Sequence, residues 1–279
     1  MTIRPISVSA LALLLAACAA PPPEPPRTQQ EAITLNQSAR LAFERGDFTR
    51  AGQLYEQALA ADTSIENADG IAMNALSLAQ VHQKQGDSEK AQRDLDLVLN
   101  DSALAISRER RAEAAARKAQ IALAANDTQT ADQWADTGLG FCAGSCPVQA
   151  ALLNLHARAA LARNDSAGAI EWAAKAQSAA GDERGRAERA NALRITAEAR
   201  IAAGDQRAAI PSLNEALALD KTLALPPRIY SDLMLLGRAH AGIGEREAAR
   251  GYFLRALAVA NALKDVEGAR DAQAALDKE

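Results

Sequence analysis

One spacing recurs six times along the chain and limits what it can fold into. A small turn residue followed by an acid stands at Gly46-Asp47, Gly86-Asp87, Asn126-Asp127, Asn164-Asp165, Gly204-Asp205 and Gly244-Glu245, at intervals of 40, 40, 38, 40 and 40 residues. Five residues after each turn residue stands an alanine: Ala51, Ala91, Ala131, Ala169, Ala209 and Ala249. Seven residues before it stands Ala39, Ala79, Ala119, Ala157, Ala197 or Gly237, and thirteen after it Leu59, Leu99, Leu139, Gln177, Leu217 or Leu257. A fixed period of this length signifies stacked units that share a continuous core.

The columns have a physical reading. Two antiparallel helices approach closely only where neither carries a bulky side chain, which suits Ala39 opposite Ala51 and its equivalents. Gly or Asn accepts the left-handed backbone that ends a helix, and the acid after it can cap the free N–H groups of the next helix and meet its dipole. Nine residues after the turn, Tyr55, Leu95, Leu213 and Phe253 are suited to filling the space between hairpins, while Ala135 and Ala173 replace them in the middle units. The chain has only nine aromatic residues (four Phe, two Trp, three Tyr) and is rich in alanine, which disfavours sheet.

These columns resemble the tetratricopeptide repeat, most closely in the last unit with Leu236-Gly237, Gly244, Ala249, Phe253 and Ala256. The resemblance covers residues 32–262 and implies an all-α, right-handed α-solenoid of about six helical hairpins. Asp265 to Leu276 carries Val266, Ala269, Ala272, Ala275 and Leu276 at helical spacing and reads as a capping helix. The period near 40 exceeds the family's usual value of about 34. The surplus lies in ADTSIENADG, NDSALAISRER and AAGDERGRAE, which predicts an extended first helix in each pair. Pro147 and Pro226-Pro227 suit the first turn of a helix, whereas Pro211, about six residues into a second helix, predicts a kink or a late start.

The N-terminus reads as a targeting segment. Arg4 is the only charge before the apolar run Leu11 to Ala17, which is too short to span a bilayer. Leu15-Ala16-Ala17-Cys18 resembles the lipobox of bacterial lipoproteins, which implies acylation of Cys18 as the first mature residue. Ala19 after it, in place of Asp, implies sorting to the outer membrane on the periplasmic side. Residues 19–30, AAPPPEPPRTQQ, hold five prolines and few apolar side chains, as in an extended tether. The expected organisation is a signal peptide over 1–17, a tether over 18–30 and the solenoid over 31–279.

Chemistry is sparse. The net charge of −4 and the lack of a basic run argue against nucleic acid. Cys142 and Cys146 could pair in an oxidising periplasm or remain free thiols, and a zinc site would need two further ligands. His82, His156 and His240 lie in three different units, which favours packing or surface roles over metal ligation. Trp134 and Trp172 fit as core or inter-hairpin filling better than as ligand contacts. No phosphate-binding loop, Gly-x-Ser-x-Gly or His-Glu-x-x-His occurs, so neither enzyme activity nor a cofactor is expected.

One pattern points to binding. The column six residues before the turn reads Arg40, Gln80, Gln120, Arg158, Glu198 and Arg238, and the column ten before it includes Asn36, Asn154 and Arg194. In tetratricopeptide stacks the first helices line a concave groove, and this ladder would present donors and acceptors to an extended peptide or to acidic side chains. An exposed polar stripe on an amphipathic helix would look the same. The expectation is a protein-binding scaffold at the outer membrane that assists an envelope machine, with a leaning to type IV pilus or secretin biogenesis. An accessory of a peptidoglycan enzyme and a self-assembling structural protein are the alternatives. Since lipid is the only anchor the sequence offers, Cys18→Ala is expected to abolish labelling by a palmitate analogue and to leave a soluble or uncleaved precursor instead of an outer-membrane protein.

Overall fold

The computed structural model describes residues 26–181 and 183–279. Among them are thirteen helices and no strand, arranged as six consecutive hairpins and one final helix. The hairpins are α1 (Arg27–Glu44) with α2 (Phe48–Ser64), α3 (Ala68–Lys84) with α4 (Ser88–Asn100), and α5 (Arg108–Ala124) with α6 (Thr128–Cys142). They continue with α7 (Gln149–Ala162) and α8 (Ser166–Ala179), α9 (Arg186–Ala202) and α10 (Gln206–Thr222), and α11 (Pro226–Gly242) and α12 (Arg246–Leu263). Helix α13 (Val266–Leu276) closes the row. Each helix packs mainly on its chain neighbours, and each first helix also meets the first helix of the next hairpin. This is an α-helical repeat solenoid.

Each hairpin turns on one short device. The turn residues Gly46, Gly86, Asn126, Asn164, Gly204 and Gly244 all have φ between +60° and +83°. The acid that follows serves both helices. Its N–H returns to the first helix, as in Asp47 N to Ala42 O at 3.0 Å and Asp205 N to Arg200 O at 2.9 Å. Its carboxylate caps the second, as in Asp47 Oδ1 accepting from Arg50 N at 3.1 Å and Asp165 Oδ1 from Gly168 N at 2.9 Å. The reverse bond closes one helix while the cap opens the next, so a single residue satisfies orphan groups at two helix ends. The Lys90 N–H and ammonium hold the Asp87 carboxyl below its usual range. Glu245, whose side chain is one carbon longer, makes no cap and instead meets His240 Nδ1 at 2.6 Å.

The small-residue columns lie at the crossings. The six alanines after the turn have no exposure, nor do the five alanines seven residues before it. Gly237, the sixth member of that earlier column, is forced: a Cβ there would stand 2.3 Å from the Phe253 ring. The buried position in the second half of each hairpin is twelve residues after the turn, namely Ala58, Val98, Gly138, Ala176, Ala216 and Ala256. In the column thirteen after it, only Leu217 is buried. In the middle units Leu152 seats against Gly138, where a Cβ would meet it at 2.5 Å, and Trp134 and Trp172 pack against the same clusters that hold Ala135 and Ala173.

Several expectations change. Helix α1 starts at Arg27, inside the expected tether of 18–30, so only its first part falls outside the described residues. The extra length of the repeat is divided unevenly: every first helix except α7 has 17 or 18 residues, as expected, whereas the second helices range from 13 residues in α4 to 18 in α12, and after α4 and α6 the surplus lies in the connections 101–107 and 143–148. Pro147 lies in the turn before α7 rather than in its first helical position, whereas Pro226 does open α11. Helix α10 runs through Pro211 without a break. Arg200 of α9 donates to the Ala208 carbonyl at 2.6 Å and to Ser212 Oγ at 3.3 Å, a side-chain donor beside the turn where proline removes a backbone one.

The capping helix is present over α13, seated through Gly268, Ala272 and Leu276, with Val266 left 77% exposed. Tyr230 of α11 donates its hydroxyl to the Gly268 carbonyl at 2.9 Å and ties cap to stack. Among the described residues no helix is long and apolar enough to cross a membrane. Replacing Gly237 by valine is expected to destabilise the protein by about 1–3 kcal/mol in chemical denaturation, because the Phe253 ring must leave its place against the backbone of α11. Phe253→Leu in the same chain should return part of that loss, and additive effects would show that the two positions do not meet.

Candidate functional site: the concave groove

The predicted ladder divides on structural grounds. Arg40 is exposed and engaged by Glu44 on its own helix at 2.6 Å, while Gln80 and Gln120 are exposed on α3 and α5. Arg158 Nη1 meets Glu198 Oε2 at 2.5 Å, and its Nη2 lies 3.4 Å from Asn191 Oδ1, so two ladder members pair with each other across the joint between hairpins four and five. Arg238 is exposed and has no hydrogen bond or ion pair among the described residues.

The column ten residues before the turn faces inward. Asn154 is 2% exposed and donates to the Glu188 carbonyl at 3.0 Å and to its side chain at 2.8 Å. Arg194 is 5% exposed and engages Asp232 at 2.6 Å together with Asp220, both wholly buried. Asn36 is half-buried and donates to Asn74 Oδ1 at 2.7 Å. These residues therefore join hairpins. Asn154 and Arg194 are removed from the groove surface, because their positions lie where a first helix meets the next hairpin. One signal in the sequence could have shown this. Asp62 and Asp220 stand sixteen residues after their turns, and Asn74 and Asp232 twelve before theirs, so polar residues fall together at two joints in columns that elsewhere hold mostly small or apolar residues.

The groove is best formed at its C-terminal end. A cleft of about 500 Å³ lies between α9, α11 and α13, and one of about 430 Å³ adjoins it. Met234, Arg238 and Asp271 line both. Ile201, Tyr230 and Leu235 supply apolar wall to the first, and Ala241, Phe253 and Ala275 to the second. Burial pushes the Tyr230 hydroxyl above its usual pKa, and the nearby Asp271 and Asp265 add to the effect. The arrangement offers one unengaged guanidinium between two half-apolar clefts. That suits an extended segment with a carboxylate or free carbonyls.

The histidines and cysteines lie elsewhere. His82 Nδ1 is 2.6 Å from Asp94, and burial raises the Asp94 carboxyl despite that partner. His156 stacks on Trp172 with centroids 4.4 Å apart, its Nδ1 2.8 Å from Asp132. Lys118 lies over Trp134, 4.6 Å from the ring centroid, and reaches Asp96 at 2.6 Å. Cys142 and Cys146 are joined by a disulfide at the α6–α7 turn. Cys18 lies outside the described residues.

Two stretches, residues 30–100 and 233–267, match family profiles for the tetratricopeptide repeat. Tetratricopeptide repeats are thus detected over these two stretches. No curated protein matches the sequence. The fold is similar to the crystal structure of PilW, described as a widely conserved type IV pilus biogenesis factor. Identity is 16%, the TM-score is 0.62, and the match covers 87% of this chain and 98% of that one. Aspartyl phosphate phosphatase F from Bacillus subtilis is similar at 17% identity and TM-score 0.61, over 79% of this chain and 59% of that one. BtubC from P. vanneervenii is similar at 17% identity and TM-score 0.57, over 86% and 94%. At these identities the likeness is one of fold.

Two arginines read from adjacent columns of the ladder are thus expected to behave oppositely. Arg194→Ala should cost about 3–5 kcal/mol in denaturant unfolding, because it strands two buried carboxylates. Arg238→Ala should leave stability within about 0.5 kcal/mol.

Proposed function

We propose that this protein is an adaptor of the bacterial envelope, anchored to the outer membrane through lipid on Cys18 and facing the periplasm, that holds an extended segment of another protein in its concave groove. The observation that carries the reading is Arg238, unengaged between two apolar-walled clefts, while Arg40, Arg158 and Arg194 are occupied within the protein. Helical-repeat stacks serve as extended binding surfaces because their curvature presents many side chains along one concavity. The assembly it would serve is an envelope machine, with type IV pilus or secretin biogenesis as the first choice. Support for that choice comes from the likeness over nearly the whole length of PilW, and it is analogy, since fold does not fix function.

The test places a photo-crosslinking residue at Ser231 in the groove and, separately, at Gln133 on the exposed side of α6, in cells. A specific adduct is expected from Ser231 and not from Gln133. Arg238→Glu in the Ser231 variant should reduce that adduct several-fold with circular dichroism unchanged, as loss of a charge-assisted contact would. Adducts of equal yield from both positions, or an undiminished adduct in the folded Arg238→Glu variant, would move the binding surface out of the groove. A trapped partner that proves to be a peptidoglycan enzyme would redirect the choice of machine while leaving the groove in place.

A further inference from the structure

The joint beneath the larger cleft holds more negative than positive charge. Arg194 of α9 donates through Nε to Asp232 Oδ1 on α11 at 2.6 Å and through Nη2 to Asp220 Oδ2 near the end of α10. One guanidinium thus faces two carboxylates, so the fully ionised cluster carries a net charge of −1 with both aspartates at 0% exposure. The remaining oxygens, Asp220 Oδ1 and Asp232 Oδ2, have no hydrogen-bond partner. A buried carboxylate oxygen in that condition is costly as an anion and much less so as a shared proton site.

The charged groups around the cluster do not restore the balance. On α9 and α10, Arg189 and Glu215 pair with each other at the surface at 2.6 Å. On α11, Arg228 donates to the Ala187 carbonyl of α9 at 2.9 Å, and Arg238 lies in the groove. Among the described residues, neither α12 nor α13 brings a charged side chain into ion-pair distance of Asp232.

The molecule contains a counterpart at its other end. At the joint between hairpins one and two, Asn36, Asp62 and Asn74 occupy the positions of Arg194, Asp220 and Asp232 relative to their turns. There Asn74 donates to Asp62 Oδ2 at 2.8 Å and accepts from Asn36, while Asn67 donates to Asp62 Oδ1 at 2.7 Å. That joint has one carboxylate with both oxygens engaged, and an amide stands in the place of Asp232. A protonated Asp232 reproduces the amide's balance: it is neutral and has one donor to offer.

We propose that Asp232 is a proton-operated latch between the fifth and sixth hairpins. Protonated, it leaves a neutral cluster that holds α9 and α11 together under the groove; ionised, it leaves a buried excess charge that loosens them. Burial, with Asp220 beside it and against the pull of Arg194, pushes the Asp232 carboxyl from its usual 3.8 up to about 6. The native state then binds this proton more tightly than the unfolded chain. Its stabilising contribution is therefore complete below 3.8 and lost as pH rises through about 6. The cleft of about 500 Å³ lies over this joint, with Glu198 one turn beyond Arg194 and Ser231 adjacent to Asp232. Helices α9 and α11 touch directly at few other places. Control of a bound segment by this latch rests on the groove reading above; the latch itself does not.

The test compares the melting of the full chain and of Asp232→Asn at about pH 5 and about pH 7.5, with hydrogen exchange of α9 and α11 corrected for intrinsic rate. Asp62 and Asp94 are also raised by burial and act equally in both proteins, so the difference between the proteins is the readout. The expected result is a gain in melting temperature on acidification that is several degrees larger in the wild type than in the variant, with slower exchange in α9 and α11. Asp220→Asn, which neutralises the same cluster from the other side, should behave alike and serves if Asp232→Asn does not fold. Equal pH responses in the wild type and a folded variant would overturn the proposal, as would exchange in α9 and α11 that does not change with pH. Both measurements are made without a partner, so they decide the latch whether or not the groove binds a segment.

Discussion

The acid after each turn residue carries a disproportionate share of this architecture. A hairpin of two helices leaves unsatisfied carbonyls at the end of the first and unsatisfied N–H groups at the start of the second. Asp47, Asp87, Asp127, Asp165 and Asp205 address both ends at once, through their own N–H and their carboxylate. The left-handed residue before each one reverses the chain in so few atoms that the two helices must pack side by side. Their separation is then set by what stands at the crossing, and only alanine or glycine stands there.

Close crossings are confined to the small-residue columns, and beside them large side chains fill space both within and between hairpins. Tyr55, Leu95, Leu213 and Phe253 are buried; Phe253 lies against Gly237 and Trp172 against His156 of their own hairpins, while Leu152 of the fourth hairpin seats against Gly138 of the third. The joints also take polar residues. Asn154, Arg194 and the Asn36–Asn74–Asp62 chain connect successive units through directional bonds, and removing one partner of such a group is costlier than the pair is valuable. The same geometry that stacks the units therefore withdraws several polar side chains from the groove and leaves Arg238 as the arginine of the ladder without a partner among the described residues.

Much of this was readable from spacing. The six turns, the alanine columns, the cap over α13 and the all-α class follow from residue types at a fixed period, because a left-handed turn and a close crossing each admit few residues. The groove was read less well. Arg194 and Arg238 come from adjacent polar columns, yet one is buried and the other free. A column identifies a face of a helix, but the depth of that face depends on what packs over it, here Asp220 of the partner helix 26 residues away and Asp232 of the next hairpin 38 residues away.

The sequence by itself determined the number of units, their turns, their crossings and the terminal cap, since each depends on contacts within about one repeat length. Tertiary structure alone decided which polar residues face the concavity, how the extra repeat length divides between helices and connections, and that α10 runs through Pro211 with Arg200 beside it. It also brought Arg194, Asp220 and Asp232 to one point. Those outcomes depend on side chains from three helices meeting at a joint. Burial there changes the energy of a charge far more than any local pattern along the chain can register.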